Sequence, residues 1–500
     1  MMESKRKSGV LMSISSLPSR YGIGVFGEQC IEFARAIRQM GFSLWQVLPF
    51  TPVDYANSPY GSDSAFAGNE LYIDPATLAS DGYVTADEAR ENEYAGTPYT
   101  ADYGFARKAR NALLRKAFSR LSETEKEGLM RFMGERGLVN HCLYRALKSE
   151  NGDKPFWQWS RGSRYSEAIP LMTELRDEML FHGFVQYIFE SQWNSVKRRI
   201  NDIGVEIIGD IPIYVSRDSA DIWANPKLFE LNEDTCLPSK VAGVPPDYFS
   251  EDGQLWGNPV YNWAYHAETG YKWWTERIKH SLSLYDILRI DHFRAFASYW
   301  TVPADAATAR EGKWENGPGK ALFAAAEKSL GRNLPIIAED LGVYGEDVVK
   351  LLDDTGFPGM RIIQFGFDPH ADSTHLPHNY PKNCVAYIGT HDNNTLLGWL
   401  WEAAPEERDF ALEYCSFAGG EWGRGGYDAP ACRSIIETVW RSSAETAVIP
   451  FQDMCGFGSD ARMNTPGDDS GKWLFRTTRE TVDNIDKDYF SAINRIFRRG

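Results

Sequence analysis

The stretch "ILRIDHFR", Ile287 to Arg294, starts as a buried strand and then sets an arginine and an aspartate two residues apart. Alternate side chains of a strand share a face, so Arg289 and Asp291 point the same way. The run "DILRID" (286–291) is one of eight short β-branched segments. The others are "GVLMSI" (9–14), "LWQVLPF" (44–50), "VEIIGDIPIYV" (205–215), "LPIIAED" (334–340), "MRIIQFG" (360–366), "CVAYIGTHD" (384–392) and "TAVIPFQD" (446–453). Helical apolar spacing fills many of the intervals, at 28–40, 173–202, 268–284, 319–330, 345–354 and 429–443, the last with Asp428 as N-cap and Pro430 in its first turn. Strand alternating with helix means a parallel sheet, and eight repeats predict an α/β fold closed as a (β/α)8 TIM barrel.

The spacing of the strands is uneven. Roughly 150 residues separate the second and third, where 103–150 has helical apolar spacing rich in Lys, Arg and Glu. This predicts a helical subdomain within an insertion of about 75–170. After the third strand, 216–266 is rich in Pro, Gly, Asn and Trp and reads as a long irregular insertion, of the kind that is usually functional. Residues 1–500 are therefore expected to form a single catalytic barrel with two insertions and no separate N-terminal or C-terminal domain.

Composition narrows the partners. The chain has 500 residues, 43% hydrophobic and 13% aromatic, enough to bury a large core. Its net charge of −16 repels nucleic acid and anionic lipid. No segment approaches the roughly 20 apolar residues of a membrane span. The opening "MMESKRKSGVLMSISSL" runs into Pro18-Ser19-Arg20 with no small-residue cleavage site, so a cytoplasmic protein is expected. Monomer and homodimer both stay open. The seven cysteines (Cys30, Cys142, Cys236, Cys384, Cys415, Cys432, Cys455) are scattered without a CxxC pair and are expected to be free thiols. His370, His375 and His378 in "DPHADSTHLPH" raise a metal reading, but a Pro-rich loop gives them no helical register; no metal or cofactor is expected.

Acidic residues fall where strands end. Asp210 interrupts "EIIGDIPIYV", Asp291 ends "ILRID", Glu339 ends "PIIAE", and His391 and Asp392 end "VAYIGTHD". Singly, each has the alternative of a helix cap or a solvated turn, and Arg289 with Asp291 has that of an internal ion pair. A barrel, however, gathers all of them at its C-terminal face. Three carboxylates in a cleft for a neutral substrate suit glycosidic-bond chemistry, which pairs an ionised with a protonated carboxyl. A cation beside Asp291 would hold it ionised as nucleophile, and the Asp392 charge with partial desolvation would keep a proton on Glu339. Aromatic clusters, including "WQW" (157–159), "LWGNPVYNW" (255–263), "YKWW" (271–274) and "GWLW" (398–401), offer flat apolar surfaces for sugar rings. Of these, Trp256 and Asn258 are the candidates for substrate contact, while most Trp and Tyr are core.

The segments "GVLMSISSLPSRYGIGVFG" (9–27), "SPYGSDSAFAGN" (58–69), "GDIPIYVSRDSADIWANP" (209–226), "GVPPDYFSEDGQLWGNPVYNW" (243–263), "RIDHFRAF" (289–296), "IAEDLG" (337–342), "GTHDNNT" (389–395) and "ARMNTPG" (461–467) closely resemble the 4-α-glucanotransferases, the amylomaltase or disproportionating-enzyme group in family 77 of the glycoside hydrolases. The resemblance runs in order along nearly the whole chain. It implies a (β/α)8 barrel with inserted subdomains and a retaining double displacement on α-1,4-glucans, with maltooligosaccharides as donors and glucans or glucose as acceptors. By motif, Asp291 resembles the nucleophile, Glu339 the general acid/base and Asp392 the carboxylate that stabilises the transition state. Arg289 and His391 resemble the pair that orients these acids, and Asp210 and Tyr60 resemble donor-side residues. Segment 243–259 resembles a flexible loop over the acceptor side, with Trp256 and Asn258 near the glucan, and Asn464 of "ARMNTPG" is a further expected substrate-binding residue. Two positions depart from the pattern: Gly471-Lys472-Trp473 lacks the usual asparagine before the tryptophan, and Asn57-Ser58-Pro59 stands where an aspartate is common. The carboxylates themselves are compatible with a hydrolase, in which water replaces the acceptor. A glucan-binding protein without catalysis would have no need of all three.

Overall fold

The apolar runs become strands that stop short of their polar ends. The computed structural model describes residues 6–232, 235–246, 251–342, 345–467 and 472–500. Its strands, in chain order, are β1 (Lys7–Leu11), β2 (Leu44–Gln46), β3 (Glu206–Ile211), β4 (Lys240–Val244), β5 (Gln254–Pro259), β6 (Ile287–Ile290), β7 (Ser298–Pro303), β8 (Lys313–Asn316), β9 (Ile336–Ala338), β10 (Gly359–Ile362), β11 (Cys384–Tyr387) and β12 (Thr446–Pro450). The strands β1-β12-β11-β10-β9-β6-β3-β2 close into a parallel barrel, so each of the eight expected segments supplies one stave. Leu11, Leu44, Ile208, Ile337, Met360, Ile362, Val385, Tyr387 and Val448 pack together as a separate core cluster on these staves. Tyr387 Oη donates to Gln46 Oε1 at 2.8 Å across it, satisfying both polar groups away from water.

Where the sequence predicted longer strands, the chain turns off the ladder. Ile14–Ser16 and Ile363–Phe365 are single 3-10 turns and Phe451–Met454 is a short helix. These turn-offs follow β1, β10 and β12 directly or within a few residues, at the end of the barrel from which Asp291 and Glu339 also emerge.

Between β2 and β3 the chain forms the expected helices, among them Tyr103–Phe118, Glu123–Arg136 and Val139–Glu150, and returns along Arg176–Asp202. The insertion after β3 is partly ordered into strands. There β4 and β5 pair antiparallel and join β7 and β8, which follow β6, in a sheet of order β5-β4-β7-β8. Val302 of β7 and Ala309 in the turn between β7 and β8 find their apolar partner in Val241 of β4, about sixty residues earlier.

One helix start differs from expectation. Ala429, not Asp428, is the N-cap of Pro430–Arg441, and it makes no side-chain cap bond. Proline at the first helical position presets φ and has no N–H, which leaves one donor fewer to be capped. Asp428 instead lies exposed, 3.2 Å from Arg424. The three clustered histidines go separate ways: His375 Nδ1 accepts from the Ile362 amide at 3.1 Å, His378 Nδ1 shares a hydrogen bond with Tyr414 Oη at 2.9 Å, and His370 lies by Glu406. Among the described residues no His, Cys, Asp or Glu group gathers as a metal site, and no helix is long and apolar enough to cross a membrane. The cysteines are free, all buried except the half-buried Cys236.

Candidate active site

The cleft begins with the pairing of β3 and β6, whose register sets Asp210 directly opposite Arg289. Gly209 precedes Asp210 because the Tyr285 ring presses on the strand there; a Cβ would come within 2.0 Å of it. Asp210 is wholly buried, and its Oδ2 accepts from Arg289 Nη1 at 2.6 Å and from Tyr60 Oη at 2.8 Å. The same Arg289 nitrogen lies 3.0 Å from Asp291 Oδ1. One buried guanidinium therefore serves two carboxylates, and the two-residue spacing in "ILRID" accounts for only one of them.

Asp291 and Glu339 leave the barrel side by side. Ile290 pairs with Ala338, so the next residue on each chain stands at the rim of adjacent strands, about 4.8 Å apart at the backbone. Glu339 Oε2 accepts from the His292 amide at 2.6 Å and Oε1 from the Leu341 amide at 2.8 Å. Burial pushes Glu339 up, Arg289 draws it back, and the Asp291 anion pushes again, leaving it at about 8. Burial also raises Asp291 to about 6; Arg289 opposes this, while Asp210 and Asp392 reinforce it. Two expectations change accordingly. Arg289 does favour the ionised form of Asp291, but its charge is divided with Asp210 and burial outweighs it. The anion that helps keep the proton on Glu339 is Asp291, where Asp392 was expected.

Asp392 faces the opposite electrostatics. Burial pushes its carboxyl up, but His391 Nε2 at 3.2 Å and the Asn464 amide, which donates to Oδ1 at 2.6 Å, bring it down to about 2. His391 is itself raised: burial lowers it and the Asp392 anion more than compensates. The imidazole lies flat against the Tyr60 ring, centroids 5.1 Å apart, with Trp473 5.7 Å from both rings. Arg462 ties the two loops together by donating to the backbone carbonyls of Asp392 at 2.7 Å and Asn464 at 2.6 Å. The Asp392 side chain keeps 40% of its surface exposed, whereas Arg289 beneath it keeps 3%.

The inserted sheet reaches the same rim. Trp256 on β5 sets its ring at 81° to that of His292, centroids 4.8 Å apart, and Asn258 Nδ2 donates to the Val215 carbonyl at 2.9 Å. Asn258 thus has a structural bond that anchors β5 to the loop after β3. Gly471 and residues 247–250 of the 243–259 segment lie outside the described residues. Tyr60, Asp210, Arg289, Asp291, Glu339, His391, Asp392 and Asn464 are brought together by the contacts above, and Trp256 reaches them through His292. Three residues that sequence reasoning passed over join them: His292, Arg462 and Trp473. The signals were present in "RIDHF", in "ARMN" and in the tryptophan of the departing motif, but each acts through backbone or stacking geometry that no spacing rule exposes.

A family model described as 4-alpha-glucanotransferase matches residues 12–481. A 4-alpha-glucanotransferase of Clostridium butyricum is 40% identical over 497 residues, covering 98% of this chain and all of that enzyme. One from Thermus thermophilus is 41% identical over 490 residues, 95% of each chain. Among solved structures, an amylomaltase from Streptococcus agalactiae in complex with acarbose superposes with a TM-score of 0.93 at 38% identity, over 99% of this chain and all of that one.

Proposed function

From the premise that the chain belongs to the 4-alpha-glucanotransferases, family 77 of the glycoside hydrolases, we propose how its cleft moves a segment of an α-1,4-glucan onto an acceptor. Glu339 protonates the glycosidic oxygen as Asp291 attacks C1 from the other side, and the reducing-end fragment leaves. The glycosyl-enzyme ester then waits for an acceptor glucan or glucose. Glu339, now ionised, takes the proton from the acceptor 4-OH, which displaces Asp291 and restores an α-1,4 bond with retained configuration. Asp392, held ionised by His391 and Asn464, stabilises the positive charge that develops on the sugar. Arg289 and Asp210 fix the nucleophile from below, and Tyr60 and His391 offer a stacked platform on the donor side. Trp256, carried over the rim by the inserted sheet, is suited to the acceptor side, where a bound glucan would displace water.

The observation that carries this mechanism is the placement of two carboxyls at the ends of adjacent strands, Asp291 3.0 Å from Arg289 and Glu339 buried beside it on two backbone amides, an arrangement that makes Glu339 the weaker acid of the two. Incubation of the purified enzyme with maltotriose tests the reaction. Transfer yields glucose together with chains longer than three units. Glucose and maltose without longer chains would mean hydrolysis and overturn the proposal.

A further inference from the structure

The residue directly after Asp291 has an unusual backbone. His292 sits in the left-handed region, φ 47° and ψ 47°, which side chains with a Cβ adopt at a cost. With His292 in this conformation the chain after it folds back, while its own amide donates to Glu339 Oε2 at 2.6 Å and Asp291 stays against Arg289. The Glu339 carbonyl, in turn, accepts from the Phe293 amide at 2.9 Å, so this short turn grips Glu339 at both side chain and backbone. The ring packs edge-on against Trp256 of β5.

We propose that His292 is a positioning residue whose left-handed backbone closes the turn that holds its amide on Glu339 and so sets the acid strength of the proton donor. This rests on the roles given above to Asp291 and Glu339. An amide that donates to a carboxylate favours its ionised form, so the His292 bond opposes the burial and the Asp291 charge that raise Glu339. The other groups facing Glu339 are Arg289 and Asp291 from β6 and the turn after it, Tyr387 from β11, Arg294 within the same turn, and the Leu341 amide. The imidazole contributes no charge at neutral pH, because burial and Arg294 push it down to about 3. Replacing it therefore removes no charge at neutral pH, and the loss of its contact with Trp256 is common to every variant compared.

The test compares two full-length variants on maltotriose, reading kcat/KM against pH together with thermal melting. His292→Asn keeps a residue tolerant of left-handed backbone, whereas His292→Val disfavours it. The basic limb of His292→Val should move up by about one pH unit, the scale of a lost hydrogen bond to a charged group. That of His292→Asn should stay with the wild type. If the valine variant does not fold, His292→Ala, which disfavours the same conformation without β-branching, is read in its place. A folded valine or alanine variant whose limb coincides with the wild type overturns the proposal, as does an equal shift in His292→Asn, which would assign the effect to the ring. Failure of the functional reading looks different: the wild type itself would then yield no chains longer than maltotriose.

Discussion

Glu339 and Asp392 are both carboxyls at the mouth of one barrel, yet one stands at about 8 and the other at about 2. Burial raises both, but Glu339 is buried whereas the Asp392 side chain keeps 40% of its surface exposed, and their neighbours differ as well. Glu339 receives two neutral amides and faces the Asp291 anion. Asp392 receives an amide and a histidine whose own proton affinity is raised by the contact. Deeper burial and the Asp291 anion, only partly offset by Arg289, make Glu339 an acid, whereas His391 and the Asn464 amide keep Asp392 an anion. Asp291 lies between them in character, because the cation beneath it is shared with Asp210.

The most severe way to break this arrangement is Asp291→Asn. It removes both the nucleophile and the charge that holds the proton on Glu339, so turnover of maltotriose should fall on the order of 10⁴-fold or more. Melting should stay close to the wild type, since Arg289 keeps Asp210 as partner. A variant that keeps a tenth of wild-type turnover would remove Asp291 from the mechanism.

The acidity ordering itself is read from the pH dependence of kcat/KM. Below about 6 Asp291 gains a proton and can no longer attack; above about 8 Glu339 loses the one it must donate. Activity should therefore peak near the midpoint, about pH 7, and fall roughly tenfold per unit beyond each limb. Because the two groups are neighbours, the limbs belong to the pair. A profile still rising at pH 9 would contradict the ordering.

How far this was visible in the sequence depends on whether a feature is local. Eight β-branched runs and the acids that end them are local, and they locate the barrel and its three carboxylates. The sharing of Arg289 is not local: it requires the register that sets Asp210 opposite Arg289, which no periodicity within either strand encodes. The sheet formed by β4, β5, β7 and β8 was hidden for the same reason, since Val241 and Val302 become apolar neighbours only after β3 and β6 have placed their insertions side by side. Even the local rule failed at Asp428, where a proline beginning the helix lessened the need for a cap.

The opposite side of the comparison is probed by Asn464→Ala, and here the expected effect is the smallest. The substitution removes the 2.6 Å bond to Asp392 Oδ1 but leaves His391 in contact with Oδ2 and Arg462 bound to the Asp392 carbonyl. A hydrogen bond to a charged group contributes roughly 1.5–3 kcal/mol, so kcat/KM should fall on the order of 10- to 100-fold if that bond tightens as charge develops on the sugar. The carboxyl keeps His391 beside it and should stay ionised across the working range, so both pH limbs should remain where they are. A large shift of the acidic limb would mean that Asn464, and not His391, is what holds Asp392 as an anion. A loss confined to KM would mean that Asp392 binds the ground state and the transition state alike.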